Sequence, residues 1–254
     1  MNQPEKAYIV CATPRSGTTL LCDLLTETTI AGQPDSFFRR QSLRWWADYL
    51  GVSCEKWSGE DGFDLEYLAA VRREGAQGTG VFGMRLMWES VDLLSKRLAV
   101  YYPDHASEGA RFSAAFGPLH YIHLSREDKV AQGISRLKAE QTGLWHVDMA
   151  GAERERLKPA MPAVYDAQAL HHHVEQYRKQ DAAWVSWFDE QGIHPLHITY
   201  ETLADQPQAT TDCVLRAIGL NPRAAKTVTP RTRPLADDQS REWAMRFRAE
   251  YERW

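Results

Sequence analysis

The feature that most constrains the fold is the segment YIVCATPRSGTTLLCDLL, residues 8–25, in which an apolar run leads through a polar turn into a second apolar pattern. Residues 7–13 have the uninterrupted apolar composition of a buried parallel strand. Residues 17–28 predict a helix, because their leucines recur on one helical face. The chain must therefore turn sharply at 14–19, and this turn is the first candidate site.

The residues of this turn suit an anion. Gly17 allows the backbone to approach a ligand closely, and the free N–H groups of the first helical turn attract negative charge. Arg15 adds a permanent positive charge, and hydroxyl donors come from Ser16, Thr18 and Thr19. A nucleoside triphosphatase loop would need a lysine where Thr18 stands, so a shorter anion without a metal is favoured. The alternative is a structural turn whose polar residues only cap the helix.

The rest of the chain alternates between strand and helix patterns. Further strands are predicted at 80–88, within 119–128 and at 193–203, and helices at 63–74, 89–99, from about 128, 163–191, 207–220 and 240–253. This alternation predicts an α/β fold with a central parallel sheet flanked by helices, whose ligands bind at the carboxyl ends of the strands. We expect a single domain over 1–254, with an irregular segment at 139–162.

Charge and cysteine content exclude several classes of protein. The net charge of −4 argues against general nucleic-acid binding, although one basic pocket remains compatible with it. The four cysteines form no CxxC pair, so neither a zinc site nor a disulfide framework is indicated. The sequence also has neither a signal-peptide pattern nor an apolar run long enough to span a membrane. We therefore expect a cytoplasmic protein.

Several stretches now carry a resemblance to a known family. TPRSGTTLL resembles the 5′-phosphosulfate loop of sulfotransferases that use 3′-phosphoadenosine 5′-phosphosulfate (PAPS). IHLSREDKVAQGIS is similar to their 3′-phosphate signature and supplies Arg126 and Ser135, one residue further apart than in the cytosolic branch. ITYETL resembles a turn in which Tyr200 would lie near the nucleotide. With AGQPDSFF, GVFGMRLMW and DDQSREWAMRFR in the same order, the chain resembles the Stf0 family over residues 13–248.

This resemblance implies the P-loop NTPase-like sulfotransferase fold. It implies transfer of a sulfuryl group from PAPS to a hydroxyl of a small carbohydrate or glycolipid-type acceptor, without a metal, and possible homodimerisation through 139–162 and the helix that follows. Arg15 would bind the leaving phosphate oxygen, and Arg85 would lie near the sulfuryl group. The alternative for Arg85 is an ordinary salt bridge at a strand end.

The general base is the point at which the sequence departs from the family. The family places a glutamate before two aromatic residues, and here Ser36 precedes Phe37 and Phe38. The neighbouring Asp35 is a candidate base, or else a turn residue after a proline. His120 and His123 are weaker candidates.

Two other functions and several other residues stay open. Ser36 leaves room for a PAPS-binding protein that has lost catalysis, whereas a nucleotide-kinase-type phosphotransferase would need a loop lysine. Consecutive histidines at 171–173 point in different directions on a helix, which favours a solvated face over a metal site. Arg231 and Arg233 fit either the 3′-phosphate or solvent. Sugar stacking and core packing are the alternatives for four tryptophans: Trp45, Trp46, Trp88 and Trp145.

Overall fold

The computed structural model describes residues 4–55, 57 and 62–251. Its strands are β1 (Lys6–Ala12), β2 (Val81–Met87), β3 (Leu119–Ser125), β4 (Leu144–Val147), β5 (Glu153–Arg156) and β6 (Leu196–Thr199). Four of them form a parallel sheet in the order β2-β1-β3-β6. The other two, β4 and β5, pair with each other in antiparallel orientation.

The helices surround this sheet. They are α1 (Thr18–Glu27), α2 (Leu43–Leu50), α3 (Leu65–Ala76), α4 (Trp88–Tyr101), α5 (Glu108–Phe116), α6 (Lys129–Thr142), α7 (Ala167–Gln191), α8 (Tyr200–Asp205), α9 (Pro207–Ala217) and α10 (Asp238–Tyr251). Among the described residues, none of the helices is both long enough and apolar enough to cross a membrane.

Apolar side chains of β1 alternate between two cores, as a strand buried on both faces must. Ile9 and Cys11 pack with residues of α2 to α5 and of α7, whereas Tyr8 and Val10 pack with α1, α8 and α9. A smaller cluster joins α6, α7 and α10. The predicted α/β fold, with a central parallel sheet flanked by helices, is confirmed.

The topology explains where a ligand can bind. Because β1 lies between β2 and β3, the connections after neighbouring strands leave in opposite directions and open a crevice at their carboxyl ends. The loop between β1 and α1 lies there. Gly17 has a φ of 89°, and a Cβ at this position would lie 2.6 Å from Cδ2 of Tyr200. Arg15 also has a positive φ, 66°, which is uncommon for a residue with a side chain.

The prediction of an irregular segment at 139–162 is wrong. Helix α6 continues to Thr142, where Gly143 ends it with a φ of 74°, and the β4–β5 hairpin follows. Each strand of the hairpin has only four residues and the register shifts twice, so no period-2 pattern was visible in the sequence. Arg154 holds the hairpin against α1 through a two-pronged ion pair with Asp23, in which Nη2 and Oδ1 are 3.0 Å apart.

Some helix boundaries also differ from the predictions. The helix predicted at 163–191 begins at Ala167, because Asp166 caps it by accepting a hydrogen bond from the Ala169 N–H. Helix α10 begins at Asp238, and the end predicted at 253 lies outside the described residues. Helices α2, α5 and α8 were not predicted, and all three are short, with eight, nine and six residues.

Candidate active site

A cavity of about 910 Å³ opens at the carboxyl ends of β1 and β2. Its wall includes the loop after β1, part of α6, the β4–β5 hairpin and the segment before α10. Nearly all residues predicted for the site line it: Arg15, Gly17, Thr18, Thr19, Asp35, Ser36, Arg85, Arg126, Ser135 and Tyr200. Ser16 is different, because its side chain is buried and its hydroxyl donates to the Thr13 carbonyl at 2.8 Å.

Helix α1 presents its N-terminus to this cavity. Its N-cap residue is Gly17, which brings no side-chain cap, so the first N–H groups are left for other acceptors. Together with the helix dipole they give this end of the cavity a local environment that favours negative charge. The hydroxyl-bearing residues Thr18 and Thr19 lie at the same helix end.

Arg15 connects this loop to α6 and to the hairpin. Its Nε donates to Ser135 Oγ and its Nη1 to the Trp145 carbonyl, both at 3.0 Å. Burial, with Arg126 nearby, lowers the pKa of Arg15 to about 10. The guanidinium therefore stays charged at neutral pH, and its partial desolvation strengthens any interaction with an anion.

Arg126 lies on the opposite side of the loop. Its guanidinium stacks on the ring of Tyr200, 4.4 Å from the ring centre, and its Nη1 lies 3.4 Å from the Arg15 carbonyl oxygen. Burial lowers the pKa of Arg126 as well. The structure thus brings Arg126, Tyr200 and Ser135 to one wall of the cavity.

Arg85 lies on β2 and links the segment after α1, which contains Asp35 and Ser36, to Thr19 at the start of α1. It donates from Nε to Ser36 Oγ at 2.7 Å, from Nη2 to Asp35 Oδ1 at 3.1 Å and from Nη1 to Thr19 Oγ1 at 3.1 Å. Although burial alone would lower the pKa of Arg85, the Asp35 carboxylate and other acidic groups raise it. A salt bridge at the strand end is therefore present, and it lies inside the cavity.

The structure adds a residue that sequence reasoning missed. Nε2 of His146 lies 3.2 Å from Thr19 Oγ1, and its cross-strand neighbour is Glu155. Burial, Arg15 and Arg85 lower the pKa of His146 to about 3, so the imidazole is neutral at pH 7. No local pattern signals this residue, because His146 and Thr19 are 127 positions apart and the hairpin was not predicted.

The weaker base candidates lie outside the cavity wall. His120 is exposed on β3, and His123 is buried against His197 with their Nδ1 atoms 3.3 Å apart. Burial lowers the pKa of His123 to about 4. Neither can reach a substrate in the cavity without a rearrangement of the sheet.

The remaining candidates divide between the site and the rest of the molecule. His171 stacks on Tyr251 while His173 lies beside Glu140, and the described part of the chain contains no cluster of three or more His, Cys, Asp or Glu residues that could hold a metal. Arg233 lines the cavity, whereas Arg231 lies near Glu27. Of the four tryptophans, the cavity wall includes Trp45, Trp46 and Trp145, and Trp88 packs on Trp184.

A parallel sheet, an uncapped helix start after β1, and Arg15 and Arg85 in one cavity are the features of an α/β protein with a site suited to an anionic group. The family model for the Stf0 sulphotransferase matches residues 7–250, and the chain belongs to this family. It is therefore a sulfotransferase.

Two trehalose 2-sulfotransferases agree with this assignment. The trehalose 2-sulfotransferase of Mycobacterium tuberculosis (strain ATCC 35801 / TMC 107 / Erdman) is 33% identical over 271 residues, covering 98% of this chain and 97% of that protein. The trehalose 2-sulfotransferase of Mycolicibacterium smegmatis (strain ATCC 700084 / mc(2)155) is 32% identical over 278 residues, covering 100% and 98%. Among solved structures, a sulfotransferase from Alicyclobacillus acidocaldarius aligns with a TM-score of 0.44 and 14% identity, over 98% of this chain and 93% of that one.

Proposed function

We propose that this sulfotransferase moves a sulfuryl group from PAPS to a hydroxyl of a carbohydrate or a glycolipid-type acceptor. The observation that carries the proposal is the meeting of Arg15, Arg85 and the uncapped start of α1 in one cavity. The names of the two mycobacterial relatives favour a sugar as the acceptor, trehalose being the first to test.

The donor occupies the side of the cavity formed by the loop and α6. The N–H groups of the first turn of α1, with the hydroxyls of Thr18 and Thr19, bind the 5′-phosphosulfate, and Arg15 binds the leaving phosphate oxygen. Arg126 and Ser135 bind the 3′-phosphate, with Tyr200 beside the nucleotide. In support, Arg15 contacts Ser135 and Arg126 stacks on Tyr200. Ser16 contributes only through its backbone, because its hydroxyl is occupied.

Catalysis rests on positioning and charge stabilisation, as in phosphoryl transfer, because the transition state is loose and its charge lies on oxygen atoms. Arg85 stabilises the sulfuryl oxygens. Asp35 and Ser36 accept two of its hydrogen bonds and so set the orientation of its guanidinium. Asp35 thus acts as a positioning residue through its hold on Arg85.

The donor can be tested separately from the acceptor. Calorimetry with PAPS and with its desulfated product, 3′-phosphoadenosine 5′-phosphate (PAP), measures donor binding, and incubation of sulfur-35-labelled PAPS with trehalose measures transfer. We expect both nucleotides to bind and the label to appear in the sugar. If neither PAPS nor PAP binds, the proposed donor is wrong.

Loss of catalysis is the second candidate function, because Ser36 stands where the family has its glutamate. It predicts that PAP binds but no label moves to trehalose or to any hydroxylated metabolite in a cell extract. A Ser36→Glu variant that gains activity would then show that the missing carboxylate was the cause.

We also propose a homodimer formed through the region around the β4–β5 hairpin. Two exposed apolar side chains lie there, Leu157 with 60% and Val164 with 64% of its surface accessible. Pairing with a second copy would remove both side chains from water, which the burial of apolar surface favours. Light scattering should show a dimer that the Leu157→Lys, Val164→Lys double variant converts to a monomer. The control is Val100→Lys, an equally exposed valine on α4, and an unchanged dimer in the double variant would reject this interface.

A further inference from the structure

The β4–β5 hairpin carries one titratable pair into the cavity. His146 and Glu155 are cross-strand neighbours, and both line the cavity wall. Nε2 of His146 lies 3.6 Å from Oε2 of Glu155 and 3.2 Å from Oγ1 of Thr19. The same nitrogen therefore faces both a carboxylate and the loop that holds the anion.

The charges around His146 come from two strands and the loop. Arg15 of the loop, Arg85 of β2 and Arg154 of β5 disfavour its protonated form, and Glu155 of β5 is the acidic group beside it. Burial acts in the same direction as the arginines and is the larger cause of its lowered pKa. Without a ligand the imidazole is neutral, so one ring nitrogen has a lone pair that can accept a proton.

An anion bound at the loop between β1 and α1 changes both the hydrogen bonding and the proton affinity of His146. Thr19 Oγ1 already accepts a hydrogen bond from Arg85, so its single proton can go either to His146 Nε2 or to a bound phosphate oxygen. When the phosphate takes that proton, Nε2 becomes free for another partner. The negative charge of the donor also offsets the three arginines and raises the proton affinity of the ring.

We infer that His146 is the general base of the transfer reaction, with Glu155 as the carboxylate beside its protonated form, and that donor binding makes it competent. This inference rests on the proposed function. The acceptor O–H bond breaks and its proton passes to Nε2, while the acceptor oxygen forms a bond to sulfur. The bond from sulfur to the bridging oxygen breaks, and its electron pair leaves on the 5′-phosphate of PAP. Glu155 then stabilises the imidazolium.

This assignment explains how the chain can work with a serine at the family's glutamate position. Ser36 Oγ accepts a hydrogen bond from Arg85, and Asp35 Oδ1 accepts hydrogen bonds from Arg85 and from the Ser36 N–H. His146 reaches the same group of side chains through Thr19, whose Oγ1 contacts both Arg85 and His146. The imidazole thus takes the proton-accepting role for which Ser36 has no carboxylate.

The test compares His146→Gln with Glu155→Gln and with the control His194→Gln, an exposed histidine outside the cavity. Glutamine can keep the hydrogen bond to Thr19 but cannot act as a base at neutral pH. For His146→Gln we expect kcat to fall about 10²- to 10⁴-fold, the usual contribution of general-base catalysis. PAP affinity should stay within about 3-fold of wild type, which separates a base from a residue that only holds Thr19 or the donor.

For Glu155→Gln we expect a smaller loss of kcat and a shifted acidic limb of the pH–rate profile.

A second measurement does not depend on the variants. NMR titration of the His146 ring in the wild-type protein should show a higher pKa with PAP bound than without it. A His146→Gln kcat within about 3-fold of wild type, or a pKa that PAP does not raise, overturns the inference. Wild-type protein that neither binds PAP nor transfers sulfate would instead overturn the proposed function, so the two failures are distinguishable.

Discussion

Arg85 makes three directed hydrogen bonds within the cavity, to Asp35, Ser36 and Thr19. A lysine could carry the same charge but could not reproduce this planar set of donors. We therefore expect Arg85→Lys to lose roughly 2.7–4 kcal/mol of transition-state stabilisation, about 10²- to 10³-fold in kcat, by analogy with an oxyanion-hole donor.

Steady-state kinetics with PAPS and trehalose measures this effect. The control is Arg72→Lys, which makes the same substitution at an arginine that donates to the Ala115 carbonyl outside the cavity. A kcat for Arg85→Lys equal to that of Arg72→Lys would remove Arg85 from the catalytic group.

Gly17 combines a positive φ with close contact to Tyr200, so an alanine there is both strained and crowded. The strain alone should cost about 1 kcal/mol of stability. Because the added Cβ pushes against Tyr200 beside the loop between β1 and α1, we also expect PAP affinity to fall about 10-fold or more. This loss is equivalent to at least 1.4 kcal/mol of binding free energy.

Gly51→Ala separates the two effects. Gly51 has a φ of 70°, and a Cβ there meets nothing within 4 Å. Thermal melting should show a loss in both variants that is larger in Gly17→Ala, where the Cβ also crowds Tyr200, and calorimetry should show weakened PAP binding in Gly17→Ala only. Equal PAP affinity in the two would mean that the loop tolerates a side chain at this position.

At the scale of elements, the β4–β5 hairpin depends on a few polar contacts for its position. The ion pair of Arg154 with Asp23 attaches it to α1, and Arg15 holds it through the Trp145 carbonyl. The hairpin brings His146 and Trp145 into the cavity. Its placement should therefore affect catalysis more than overall stability.

Arg154→Ala tests this expectation. Arg154 is partly exposed, so its ion pair should contribute only about 0–1 kcal/mol to the free energy of unfolding. We expect kcat to fall about 10-fold or more, equivalent to at least 1.4 kcal/mol of barrier. Lys96→Ala, which breaks the exposed pair with Asp92 on α4, is the control for both measurements. An Arg154→Ala kcat equal to the control would show that the hairpin holds its place without this ion pair.

At the scale of the whole molecule, a buried histidine links stability to pH. Burial lowers the pKa of His123 to about 4, whereas an unfolded histidine titrates near 6.5. Above pH 6.5 both states are neutral, and between about 6.5 and 4 only the unfolded state gains the proton. Stability should therefore fall through this window by up to about 3 kcal/mol from this residue. Asp181, His197 and Lys129 are the charged or titratable groups that act on it.

Urea unfolding at pH 7 and pH 5 measures the linkage. The loss of unfolding free energy between the two values should be smaller in His123→Gln than in wild type. His120→Gln, an exposed histidine on the same strand, should keep the wild-type difference. If all three proteins lose the same amount, other groups control acid stability.

The sequence alone determined the parallel α/β fold, the polar turn after β1 and nearly all of the candidate site residues that the structure brings into the cavity wall. Strand, turn and helix are encoded within residues 6–27, so their apolar pattern and Gly17 could be interpreted locally. Only the tertiary structure decided which side chains meet, because Thr19 lies 66 positions from Arg85 and 127 from His146. The hairpin that supplies His146 has short strands with a shifting register, and its position depends on contacts with α1 that no local pattern encodes.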